Sequence, residues 1–100
     1  MNTTKILKYP IHGGGVLNSI KCRRRRFLDI QLQGDNSLVC WIETQDDLRE
    51  VEIKLIGIGT GWSLDSDAMA NTFYIKTVQD AEGYVWHFYE IFESNFDDSE

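Results

Sequence analysis

The sequence predicts an all-β fold: a single small antiparallel β-sandwich or barrel of about seven strands with minimal helix. Three observations predict it. Apolar residues recur with period two in most segments of the chain, the pattern of strands that keep one face in a core. Turn residues separate these segments at short intervals. Helical spacing is confined to one turn around Ser66–Ala70.

The elements follow in order. "TKILKYPI" is a first strand, with Pro10 near its end, where a missing N–H does least harm. His12-Gly13-Gly14-Gly15 is a turn, and "VLNSIKC" is a second strand. In "RFLDIQLQ", Leu28, Ile30 and Leu32 alternate with Asp29, Gln31 and Gln33, which predicts a half-buried strand. Gly34-Asp35-Asn36-Ser37 supplies a hairpin turn. "LVCWIET" is apolar on both faces and reads as a central strand covered on both sides. Val51, Ile53 and Leu55 alternate with Glu50, Glu52 and Lys54 in a fifth strand. "GIGTGWSLDSDAMAN" is a long connection, and "TFYIKTV" and "YVWHFYEIF" form a closing hairpin across Gln79–Gly83. The core is expected to hold Leu28, Ile30, Val39, Trp41, Val51, Ile53, Ile75 and Trp86, with Phe73, Tyr84 and Phe88 as further core aromatics. Residues 1–93 form one β domain, and 94–100 form an acidic tail that frays.

With 100 residues, 42% of them apolar, the chain can bury one core. No apolar run is long enough for a transmembrane helix, and the amino-terminal stretch lacks an apolar region of signal-peptide length. The expectation is a cytoplasmic protein without a membrane partner. Cys22 and Cys40 are then thiols. Cys40 reads as a small buried hydrophobe; Cys22, beside cationic side chains, is a reactive thiol if it is exposed. Cys22, Cys40, His12 and His87 show no zinc-ligand spacing, so neither metal nor cofactor is expected.

Charge is distributed unevenly. Residues 1–33 carry seven basic side chains against Asp29 alone, and residues 34–100 carry three against fifteen carboxylates. Half of the ten basic side chains are Lys21 and Arg23, Arg24, Arg25 and Arg26. Adjacent residues in extended chain point to opposite faces, so the arginine run is expected on a projecting strand end, bulge or loop. It could meet a phosphate or an acidic partner, or be a solvated patch tied to nearby carboxylates. If the run contacts a partner, replacing Arg24 and Arg26 by glutamine weakens binding and leaves the fold intact. The net charge of -6 opposes direct nucleic-acid binding. Glu43, Asp46, Asp47, Glu50 and Glu52 are the densest acidic segment and could form a partner-binding face.

Enzymatic signatures are missing. Gly57, Gly59 and Gly61 in "GIGTGW" lack the spacing and following helix of a dinucleotide fingerprint. Their structural reading is a turn or a close backbone approach beside Trp62; their functional reading is a backbone anion nest over Gly59, Thr60 and Gly61. His87 and Glu90 fall on opposite faces of a strand, which disfavours a histidine–carboxylate pair. Trp62, in a loop, is a lid over the core or a contact anchor.

The succession "KYP", "FLDIQLQ", "CWIE", "GTG" and "VWHFYE" resembles a family of small uncharacterised bacteriophage proteins, a domain of unknown function, over about residues 5–90. The chain departs from that pattern at Arg23–Arg26, where such proteins often have a short proline- or glycine-containing turn. A phage origin implies a binding protein acting on host machinery. The leading expectation is therefore a non-enzymatic protein that inhibits a host defence macromolecule, in the manner of an anti-CRISPR protein, through a charged surface. Two alternatives stand beside it. One is an oligomer, such as a homodimer, that sequesters a phosphorylated small-molecule signal with Arg23–Arg26 and the loop Gly59–Trp62. The other is a virion structural or assembly component.

Overall fold

The computed structural model describes residues 2–92; the tail expected at 94–100 lies outside the described residues. Among these, the chain forms β1 (Thr4–Ile11), β2 (Leu17–Cys22), β3 (Arg24–Leu32), β4 (Leu38–Gln45), β5 (Val51–Gly59), a helical turn α1 (Ser66–Met69), β6 (Thr72–Gln79) and β7 (Val85–Ile91). They assemble into a three-stranded sheet, β1-β4-β3, and a four-stranded sheet, β2-β5-β7-β6, with every pairing antiparallel. The result is a sandwich and not a closed barrel.

Alternation along the strands builds the core between the sheets. Ile11, Ile30, Cys40 and Ile42 come from the first sheet, and Ile20, Cys22, Ile53, Leu55 and Phe88 from the second; all are buried in one cluster. Tyr9, Phe27, Ile75, Val78 and Trp86 pack around it. The chain passes from one sheet to the other at three places: the glycine turn after β1, the single residue Arg23 between β2 and β3, and the turn before β5. The first of these corners is pinned by a buried side chain. Asn18 accepts from the His12 N–H at 2.8 Å and donates to the His12, Val16 and Leu55 carbonyls at 2.9, 3.2 and 3.3 Å. One amide thus satisfies backbone groups that the bend takes from the ladder.

The two flanks of the sandwich differ. On one, β3 and β6 come together, and Lys76 Nζ reaches Asp29 Oδ1 at 2.7 Å. On the other, Leu7, Tyr9, Cys22 and Thr44 line an open cleft of about 430 Å³. β1 is an edge strand here, and Lys5, Lys8 and Pro10 along it discourage pairing with a further strand.

Several expected core positions are corrected. β3 shifts register between Arg24 and Arg26 and again between Phe27 and Asp29, leaving Arg25 and Leu28 as bulge residues. The second bulge puts Phe27 and Ile30 on the inner face and exposes Leu28. β4 is central in its sheet, as expected, but Trp41 is half-buried on the outer face. Its indole N–H donates to Gln31 Oε1 at 3.2 Å, and Lys8 Nζ sits 5.7 Å from its ring centre. Val51 is exposed, being the first residue of β5, and Phe73 and Tyr84 are exposed too.

Candidate functional site

The arginine run occupies the corner and the first bulge, and its members diverge. Arg23 is the residue between the two sheets, and its guanidinium donates to the Leu48 carbonyl at 2.6 Å. Arg24 points inward. Its Nη1 donates to both carboxylate oxygens of Glu90 on β7, at 2.8 and 2.9 Å, which ties the sheets together. These side chains are 26% and 10% exposed. Arg25, pushed out by the bulge, is paired with Glu43. Arg26, opposite Glu43 in the ladder, is exposed and makes no ion pair among the described residues. The run is thus largely a fastening of the corner, with Arg26 facing solvent on the outer side.

The five expected carboxylates do not share a face. Glu43 lies on the outer face of the first sheet and is engaged by Arg25. Glu52 lies on the outer face of the second sheet, bonded to the Ser19 hydroxyl, which lowers its pKa. Asp46 accepts from the Thr3 N–H at 3.0 Å and Asp47 from the Gln45 side-chain amide at 2.6 Å, both in the turn before β5. Asp46, Asp47 and the exposed Glu50 remain close in the chain as an acidic end of the sandwich.

The glycines of "GIGTGW" serve aromatic rings. A Cβ on Gly57 would lie 2.9 Å from the Phe88 ring, and one on Gly59 would lie 2.5 Å from Trp62 Nε1. Gly15 and Gly13 do the same from the first turn, with distances of 3.1 Å to Trp62 and 2.6 Å to Trp86. Gly61 has φ +86°, and the turn it makes lets the Trp62 N–H donate to the Gly59 carbonyl at 3.2 Å. That N–H is therefore spent inside the loop, and the close backbone approach read for the glycines is present at Gly57 and Gly59.

Trp62 is laid on backbone yet 46% exposed. It meets Trp86 edge to face, with ring centres 5.7 Å apart and planes at 77°, and Tyr84 lies 6.0 Å beyond Trp86. Between these rings, Thr60 and Val85 is an open slot of about 380 Å³. Tyr84 is 60% exposed, and Val16 and Val85 expose apolar surface beside Gly15 and Trp86. The Trp86 indole N–H donates to Asp80 Oδ2 at 2.9 Å, and this bond, with backbone N–H groups on the same carboxylate, holds Asp80 below the usual carboxylate range. Sequence reasoning singled out Trp62 but assigned Tyr84 to the core. The signal available was its place directly after Gly83, at the mouth of the hairpin turn.

His87 projects from the outer face, opposite to Glu90 as its spacing predicts. Thr60 Oγ1 lies 2.7 Å from its Nε2 and Thr77 Oγ1 2.9 Å from its Nδ1, and the Tyr74 hydroxyl is 2.8 Å from Thr77. One ring nitrogen accepts and the other donates in a neutral imidazole, so two hydroxyls satisfy it completely. No described carboxylate backs this histidine. The arrangement clamps the Gly59–Gly61 loop to β7 and β6.

Both cysteines are free thiols in the core. Burial pushes Cys40 up to about 12 and raises Cys22 as well, with Arg24 opposing only in part. Cys22 is buried, so the exposure on which a reactive thiol there depended is not met, and desolvation outweighs the neighbouring cation. Among the described residues no group of three or more histidine, cysteine or carboxylate side chains is placed to hold a metal ion.

A model of a family described as a domain of unknown function (DUF7352) matches residues 2–96, and the chain belongs to that family. No curated protein and no solved structure matches the chain.

Proposed function

We propose that this chain is a small non-enzymatic binding protein that seats a protein partner on the surface around Trp62. One observation carries the reading: Trp62 is held in place over the backbone at Gly15 and Gly59 while nearly half of it faces solvent. An immobilised, exposed tryptophan loses little entropy on binding and offers a large contact area, which is why such residues anchor protein interfaces. Exposed Tyr84, Val16 and Val85 extend the same apolar end. The acidic turn Asp46–Glu50 steers a basic partner towards the protein and is not the anchor. The cellular setting we propose is a phage protein inhibiting a host defence macromolecule in the bacterial cytoplasm.

Sequestration of a phosphorylated ligand finds less support. Arg23, Arg24 and Arg25 are turned onto Leu48, Glu90 and Glu43, and the Trp62 ring lies against the backbone at Gly59.

Capture from bacterial lysate by the immobilised wild type, Trp62→Ser, and an Asp46→Asn/Asp47→Asn/Glu50→Gln variant tests the proposal. Trp62→Ser should lose the captured protein, with affinity falling about 30-fold or more, as for an interface hot spot. The amide variant should slow capture and keep the complex. Equal recovery by wild type and Trp62→Ser would overturn the reading.

A further inference from the structure

We infer that the slot beside Trp62 accepts the guanidinium of an arginine side chain presented by the protein partner. The inference rests on the partner being seated at Trp62, and it adds the chemistry that the seat selects. Three rings, Trp62, Tyr84 and Trp86, border the slot, and the side chains between them are Thr60 and Val85; none of the lining residues is basic. Among the described residues, the ring with a cation over it is Trp41, covered by Lys8. The rings at the slot have no such cover.

The surrounding charge is negative. Asp80 Oδ2 accepts the Trp86 indole N–H, and its Oδ1 accepts the Glu82 and Tyr84 N–H groups at 2.9 and 3.0 Å. A carboxylate on the indole N–H enriches the ring's π electrons, and aromatic faces already attract cations. Glu82 lies in the same turn, exposed, within two residues of Tyr84. A neutral or anionic group entering the slot gains nothing from this field. A guanidinium is favoured over an ammonium because it is planar and weakly hydrated. It can stack on Trp62 or Tyr84, and the Glu82 carboxylate in the neighbouring turn adds to the potential that attracts it.

The test uses the full chain and two short peptides, acetyl-Gly-Arg-Gly-amide and the same peptide with citrulline, which replaces the cation by a neutral group of nearly equal shape. The readout is the indole N–H resonances of Trp62 and Trp86. The arginine peptide should shift both saturably, and the citrulline peptide should bind about two- to fivefold more weakly, the factor expected for a cation over exposed rings. Tyr84→Ala and Glu82→Gln should each weaken the arginine peptide, whereas Tyr84→Phe should retain it. Equal binding of the two peptides would overturn the inference, as would shifts centred on Asp46–Glu50 and absent from the indoles. If capture depends on Trp62 but arginine and citrulline bind alike, this inference falls and the seat at Trp62 stands. If capture ignores Trp62, the seat itself falls, whatever the peptides do.

Discussion

Replacing Arg24 separates a fastening role from a binding role for the arginine run. Its guanidinium bridges β3 to β7 by two contacts from one nitrogen to both oxygens of Glu90. The Glu90 side chain is 10% exposed, so Arg24→Gln strands a carboxylate that water reaches poorly. Breaking a buried pair from one side costs about 3–5 kcal/mol. Arg24 retains 26% of its exposure, so the low end, about 3 kcal/mol, is the expected loss. For a domain of this size that is roughly 12–24 °C in melting temperature. Arg26→Gln, on the outer face, should change stability by about 0.5 kcal/mol or less. Urea titration followed by tryptophan fluorescence measures both, and Arg24→Gln/Glu90→Gln should recover most of the loss because no charge is left stranded. The geometry therefore keeps the sequence-based expectation of an intact fold for Arg26→Gln and revises it for Arg24→Gln. Equal, small effects at the two positions would refute the reasoning and place Arg24 in solvent.

Three further outcomes follow from the geometry. Gly57→Ala would set a methyl 2.9 Å from the buried Phe88 ring and should cost about 1–3 kcal/mol as overpacking, whereas Gly59→Ala should displace the exposed Trp62 ring and red-shift its emission with less loss of stability. Neither thiol should react with Ellman's reagent at pH 8 in the native protein, and both should react on unfolding, since burial raises Cys22 and Cys40 alike. Asp80 has a folded pKa below its unfolded value of about 3.9, so its contribution is complete above that pH and is lost as pH falls through the folded pKa. The urea midpoint of wild type should therefore fall more between pH 5 and pH 3 than that of Asp80→Asn, measured by the same fluorescence titration.

The strands were legible because alternation is a local property: "LNSIKC" places Asn18, Ile20 and Cys22 inward by period alone. Bulges are not local in this sense. The extra residues at Arg25 and Leu28 are defined only against β4, so the inward set of β3 became Phe27 and Ile30 instead of Leu28 and Ile30. Trp41 misled for a related reason, since an apolar residue between buried neighbours reads as core until a Lys8 stem and Gln31 are seen to cover it. The charge asymmetry was visible, and so was the possibility that it closes on itself; that Arg24 meets Glu90, sixty-six residues away, was not. At the candidate site, Trp62 and the need for glycines beside it could be read from "GIGTGW". The contribution of Gly13 and Gly15 from another turn, and of Tyr84 from a third, required the fold.

Amide hydrogen exchange on the protein alone and bound to its captured partner tests the central claim most directly. Binding should protect the Gly59–Trp62 loop and the Gly83–Trp86 segment and leave Arg24–Arg26 and Asp46–Glu52 unchanged. Protection confined to the arginine corner or to the acidic turn, with the Trp62 loop exchanging as in the free protein, would contradict the account.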